Sequence, residues 1–151
     1  MIVLILNILP IALLSACGTA DEAVLHSLGE YEDYILYSEE NFQDRTYYGN
    51  YFYTSVNLVR NEYFKRIQES DLAEIDLYLD DFEKWVDVHR RNNPTSEIGL
   101  NYNFCRELID VEDYFFIYDV KIDEEMQILQ SYDIYFLDFQ SLTLYYFHSN
   151  V

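Results

Sequence analysis

At 151 residues, half of them hydrophobic, the chain is long enough for one domain with a real core and too short for two of ordinary size. Its 28 acidic and 9 basic side chains leave a formal charge of −19. That field repels nucleic-acid phosphates and anionic headgroups and favours a cationic partner such as a basic protein, a polyamine or metal ions. Disordered acidic chains are poor in aromatics, whereas this one has 16 Tyr and 10 Phe, so a packed fold is expected.

Residues 1–16 (MIVLILNILPIALLSA) form an apolar run broken only by Asn7, Pro10 and Ser15. A spanning helix needs about 20 apolar residues, so the run is short for one but has the length and small-residue ending of a secretory signal. It ends in Leu14-Ser15-Ala16-Cys17. This tetrapeptide resembles the lipobox of bacterial lipoprotein precursors, an aliphatic residue, two small residues and a Cys. No Lys or Arg precedes the apolar run, where that family has a basic segment. The resemblance, confined to residues 1–18, implies that Cys17 carries a diacylglyceryl thioether and becomes the first residue of the mature chain. It also implies attachment to a bacterial cell membrane or outer membrane on the extracytoplasmic face. Two or three acyl chains make a stable anchor, because each buried methylene contributes about 0.8 kcal/mol and a single chain is marginal. Removing 16 residues leaves 135, which divide into a tether over 17–30 and one acidic, Tyr-rich domain over 31–151.

The small and polar residues 18–30 suit a spacer, with room for a short helical piece. Tyr31–Ser38 reads as a first strand or part of a helix. Over Asn41–Val59 two patterns compete. Phe42, Thr46, Gly49, Tyr53 and Val56 recur at near-helical spacing, which favours a helix, yet YFYTSV has strand composition. Asp71 to about Arg90 is the clearest element. Leu72, Ile75, Leu79, Phe82 and Val86 step by three and four down one stripe, widened by Tyr78 and Trp85. Ser70 and Asp71 are N-cap types, with Glu74 at capping-box distance, and Asp80 and Lys84 stand one turn apart. His89, Arg90 and Arg91 complement the helix dipole at its end, and Asn92-Asn93-Pro94 stops it.

Beyond Pro94 the period changes. Tyr114–Lys121, Tyr132–Phe139 and Leu142–His148 read as strands, the last two joined by Gln140-Ser141 in a tight antiparallel hairpin. Asp123-Glu124-Glu125 opens the loop between the first two, and a further strand near Leu100–Glu107 is possible. The expected architecture is α+β: one or two amphipathic helices packed on a three- or four-stranded antiparallel meander. Tyr favours sites where the ring is packed and the hydroxyl wet, so rows of Tyr point to half-buried strands or a binding face. Tyr114, Tyr118, Tyr135 and Tyr145 are the candidate surface.

Catalytic and metal signatures are sparse. Gly18, Gly29, Gly49 and Gly99 do not build a nucleophile elbow or a phosphate loop. His26, His89 and His148 are scattered, without zinc-type spacing. With Cys17 acylated, Cys105 has no disulfide partner, and its apolar context suggests a buried structural thiol. Acids cluster at Glu39-Glu40, Asp80-Asp81, Asp110 with Glu112 and Asp113, and Asp123-Glu124-Glu125; paired carboxylates can serve a hydrolase or a calcium site. The leading expectation is a non-enzymatic, membrane-tethered binding or accessory domain, with no cofactor and no nucleic-acid partner. An immunity-type inhibitor of a basic toxin or enzyme, and a carboxylate-dependent hydrolase, are the alternatives.

Overall fold

The computed structural model describes residues 20–41 and 44–150. The signal segment and Cys17 lie outside the described residues. Three helices, α1 (Glu22–Ser27), α2 (Leu72–Asn92) and α3 (Glu97–Asn101), accompany six strands: β1 (Tyr31–Glu40), β2 (Arg45–Tyr53), β3 (Lys65–Arg66), β4 (Tyr114–Asp123), β5 (Ile128–Asp138) and β6 (Thr143–Asn150). The strands form one sheet in the order β1-β2-β6-β5-β4-β3, with every neighbouring pair antiparallel. The fold is thus α+β, with six strands rather than three or four.

Two of the extra strands, β1 and β2, come from segments whose sequence is ambiguous, and the two-residue β3 falls where no element is expected. Residues 45–53 are a strand, not a helix, because alternate side chains enter two different cores. Tyr47, Tyr51 and Tyr53 point to one face, Tyr48 to the other. Gly49 sits where an added Cβ would come within 3.0 Å of the Leu36 side chain and 3.2 Å of the Tyr51 ring. Its missing side chain lets those two close over β2. Residues 100–107 are not a strand: they hold the end of α3 and a 3-10 turn over Arg106–Leu108.

Both sheet faces are covered. On one, Tyr48, Phe115, Ile134, Phe136 and Phe147 meet Ile75, Leu79, Phe82 and Val86 of α2, with Ile98 and Phe104 closing the end. On the other, Tyr51, Tyr135, Leu137, Leu144 and Tyr146 meet Val24, Leu25 and Leu28 of α1 and Phe64 of the connection between β2 and β3. Six residues cannot hold a helix alone in water, so burial of Val24 and Leu25 stabilises α1. Asp21 caps it by accepting from Ala23 N at 2.8 Å. Asn61 Nδ2 donates to Ser27 O at 3.0 Å and ties α1 to the same connection. The expected tether is therefore, from residue 20 onward, part of the domain.

Tyrosines join the layers. The Tyr48 hydroxyl donates to Asn103 Oδ1 (2.8 Å), Tyr53 to Leu25 O (3.0 Å), Tyr132 to Asp81 Oδ2 (3.1 Å) and Tyr146 to Asp133 Oδ1 (2.7 Å). The Tyr135 hydroxyl accepts from Asp21 N at 2.9 Å. Each of these five rings thus ends on a satisfied oxygen, as burial of a polar group requires.

Local chemistry sets the boundaries. The reciprocal capping box lies one turn earlier than expected, between Gln68 and Asp71, and Asp71 leads α2 without a side-chain cap of its own. Asp80 pairs with Arg106 at 2.7 Å, and the same guanidinium reaches Glu83 at 2.8 Å. The β5–β6 hairpin lacks an Asn-Gly turn and is stapled by Asp138. Its carboxylate accepts from Gln140 N (2.9 Å), Ser141 N (3.1 Å) and Ser141 Oγ (2.6 Å), with Leu142 in the left-handed region at φ 55°.

Candidate binding groove

The candidate surface tyrosines do not form one surface. Tyr118 is 53% exposed and Tyr135 only 1%. Tyr114 and Tyr145 are half-buried and pack against opposite faces of the sheet. Tyr135 is an interior residue because α1 covers the face on which it stands. Cys105, expected inside, is exposed, and its thiol donates to Glu107 Oε2 at 2.7 Å. Of the cations ending α2, Arg90 ties it to α3, its Nε donating to Gly99 O (2.7 Å), and Arg91 Nε donates to Asp87 O one turn back (3.0 Å).

His148 is buried on the α1 side, with Nδ1 3.0 Å from Asp133 Oδ1, the oxygen that also accepts from Tyr146. The Tyr47 ring closes over it at 5.4 Å between centroids. This is a packed polar knot.

One expected acid cluster, Asp110 with Glu112 and Asp113, meets an acid from far along the chain, Asp138. Asp113 and Asp138 share a cleft of about 480 Å³ with Glu107, Asp110 and Glu112. Burial pushes the Asp113 carboxyl above its usual range, against the pull of two backbone N–H bonds. Those bonds come from Phe139 N (2.9 Å) and Asp110 N (3.0 Å), one to each oxygen. With Asp138 similarly committed to its hairpin, this cleft is built from turn staples.

The opening best suited to a ligand lies elsewhere, between α2 and the β4–β5 hairpin. Asp81, Lys84, Trp85 and Val88 form one wall, and Asp123, Met126, Ile128, Leu129 and Gln130 form the other, around about 360 Å³. Met126 is 64% exposed, Ile128 52% and Val88 39%, with Ile122 beside them at 50%. Such clustering of exposed large apolar side chains at a concavity marks a contact site more than scattered surface residues do.

The walls are fixed. The His89 ring stacks on Trp85 at 3.7 Å between centroids, and its Nδ1 lies 3.1 Å from Trp85 O. The Tyr132 hydroxyl holds Asp81. At the hairpin tip Asp123 Oδ1 accepts from Glu125 N and Met126 N, both at 2.9 Å, and Gln127 takes a left-handed φ of 56°. The result is an apolar slot with a carboxylate in each wall and one lysine. It can desolvate an apolar group while its carboxylates attract a cation. The acidic run after Asp123 was visible in the sequence, but Met126, Ile128 and Val88 were not singled out. The available signal was an apolar arc on α2 wider than one core needs.

Among the described residues no three His, Cys, Asp or Glu side chains gather to hold a metal ion, and no helix is long and apolar enough to cross a membrane. The fold and groove define an acidic α+β protein whose antiparallel sheet is covered on both faces. No protein-family model matches the chain, and no curated protein or solved structure matches it.

Proposed function

We propose that the chain is an extracytoplasmic lipoprotein, anchored through Cys17, whose domain is a non-enzymatic binding module for a cationic protein. The observation that carries the binding role is the groove. Exposed Val88, Met126 and Ile128 beside Trp85 offer an apolar slot, and Asp81 and Asp123 line it with them. An apolar anchor flanked by Lys or Arg fits both features, with the charge of −19 steering its approach. The Leu14-Ser15-Ala16-Cys17 sequence supports the anchor. Because the packed domain begins at Ala20, only Gly18 and Thr19 separate it from the acylated residue. At about 3.5 Å per extended residue, Ala20 would then lie within roughly 10 Å of the headgroups.

The charge also favours a narrower form of the same reading, an immunity-type inhibitor whose partner is a basic toxin or enzyme. We do not adopt the carboxylate-dependent hydrolase, because Asp113 and Asp138 spend their oxygens on backbone turns.

The anchor is tested by expressing the full chain in a bacterium, with and without Cys17→Ala, and measuring intact masses of membrane and soluble fractions. A membrane-bound species beginning at Cys17 with acyl mass, lost in the variant, is expected. An unmodified chain beginning at Met1 would remove the anchor from the reading.

The groove has a built-in reporter, since Trp85 is the chain's single tryptophan. Titration with a Trp-free Lys/Leu peptide is expected to shift and quench its emission, less so at high salt. Val88→Asp and Met126→Asp should each weaken binding about tenfold, equivalent to roughly 1.4 kcal/mol. Equal affinity of both variants and the parent would mean that the peptide binds by charge alone, away from the slot.

A further inference from the structure

A sheet has two edges, and here they differ. β3 is two residues long, with Lys65 lying over the Phe115 ring at 4.4 Å and Arg66 paired to Glu112. β3 covers only Tyr114 and Phe115 of β4, and the register shifts between Tyr118 and Ile122 break the regular run of the rest of that edge. β1 at the other edge is ten residues long, has no proline, and among the described residues is paired on one side only, to β2. Although α3 packs against β1, Tyr34 remains 52% exposed and Ile35 42%.

The outer side of β1 presents backbone donors. Tyr34 N donates to the carboxylate of Asp33 at 2.9 Å, so this amide turns away from the ladder. In antiparallel pairing direction alternates, which turns the amides of Leu36 and Ser38 outward as well. Glu39 Oε1 is shielded from solvent and has no hydrogen-bond partner among the described residues. A shielded carboxylate oxygen without a donor is costly, and a cation placed beside it would relieve that cost.

Charge decides what can pair here. A second copy of β1, laid antiparallel about Leu36 so that the outward amides face one another, would set Asp33 opposite Glu39 twice. Like charges directly opposite destabilise a strand pair. Five acids, Glu30, Glu32, Asp33, Glu39 and Glu40, lie in or next to the strand.

We propose that the outer edge of β1 takes an extended basic segment of another protein as a seventh strand. Main-chain bonds to the outward amides hold it, and Lys or Arg side chains of the guest answer Glu32 and Glu39. This surface is separate from the groove and depends on neither the groove nor the lipid anchor.

The test uses the full chain in detergent and a ten-residue synthetic peptide of alternating Lys and Val or Thr. Hydrogen–deuterium exchange is followed across residues 31–40. Added strands slow exchange of outward amides, whereas diffuse charge attraction does not, so slowed exchange at Leu36 and Ser38 is the expected result, Tyr34 N being already engaged by Asp33. E32K, a change at the exposed bulge between Tyr31 and Asp33, should weaken the peptide about tenfold with far-ultraviolet circular dichroism unchanged. V88D, which spoils the groove, should leave the slowing intact. Binding without slowed exchange, or equal affinity for E32K, would overturn the proposal. So would a parent chain that already dimerises with these amides protected, which would make a second copy the occupant.

Discussion

Phe82→Ala is expected to lower the stability of the domain by about 4 kcal/mol, near the upper range for core aromatic truncations. Phe82 sits at the centre of α2 and is 0% exposed. Its ring meets Phe147 of β6 edge-on at 5.3 Å and lies 5.7 Å from Tyr102 and 6.3 Å from Trp85. The neighbours are poorly placed to collapse into the space. Phe147 is held by Phe104 at 5.1 Å and Tyr48 at 5.6 Å, and the Tyr48 hydroxyl is fixed on Asn103. Tyr102 is held by its own bond to Glu83 Oε1 at 3.1 Å. A cavity bounded by anchored rings stays open, and its cost adds to the lost burial. Val88→Ala, two turns on and 39% exposed, should change stability by less than about 0.5 kcal/mol. Urea unfolding of both variants gives the comparison. A lower midpoint for Phe82→Ala with an unchanged slope is expected. Equal midpoints for the two variants would mean that α2 does not dock on the sheet through this stripe.

What the sequence made legible follows from where one face of an element differs from the other. The α2 stripe Ile75, Leu79, Phe82, Val86 stood out because acids occupy the far side of the helix, and all four residues are buried. Strands β4, β5 and β6 were recognisable from dense aromatic and branched composition. The partition of their tyrosines was not, because a strand between two cores shows no apolar–polar alternation. Tyr135 and Tyr145 look alike in sequence, yet one faces α1 and the other the α2 side. For the same reason β2 passed for a helix: with both faces aromatic, the spacing of Phe42, Thr46, Gly49 and Tyr53 was as visible as the period of two. α1 is too short to leave a periodic trace, and its burial depends on Tyr135 and Asn61, far along the chain. The groove joins Val88 to Met126 and Ile128, a juxtaposition that only the crossing of α2 over the hairpin creates.

The same two-sided burial predicts how the protein meets alkali. Burial pushes the phenols of Tyr48, Tyr51, Tyr53, Tyr102, Tyr132, Tyr135 and Tyr146 well above their ordinary value near 10. For Tyr146, Asp133 adds to the effect, since a neighbouring carboxylate disfavours a phenolate. A group whose folded pKa is raised contributes stability that is complete below its unfolded pKa and is lost as the pH climbs above that value. At about pH 11, one unit past the ordinary phenol value, each of the seven would gain roughly 1 to 2 kcal/mol by ionising in the unfolded chain. Together that is roughly 10 kcal/mol, as large as the whole stability of an ordinary domain. Added repulsion on a chain already at −19 acts in the same direction. The expected titration is therefore cooperative. The near-ultraviolet phenolate absorbance of the buried set should rise in one step near pH 11, coincident with loss of far-ultraviolet circular dichroism. A smooth rise centred near pH 10 with the secondary structure intact would place those rings in solvent and break the link between this tyrosine-rich composition and a sheet buried on both faces.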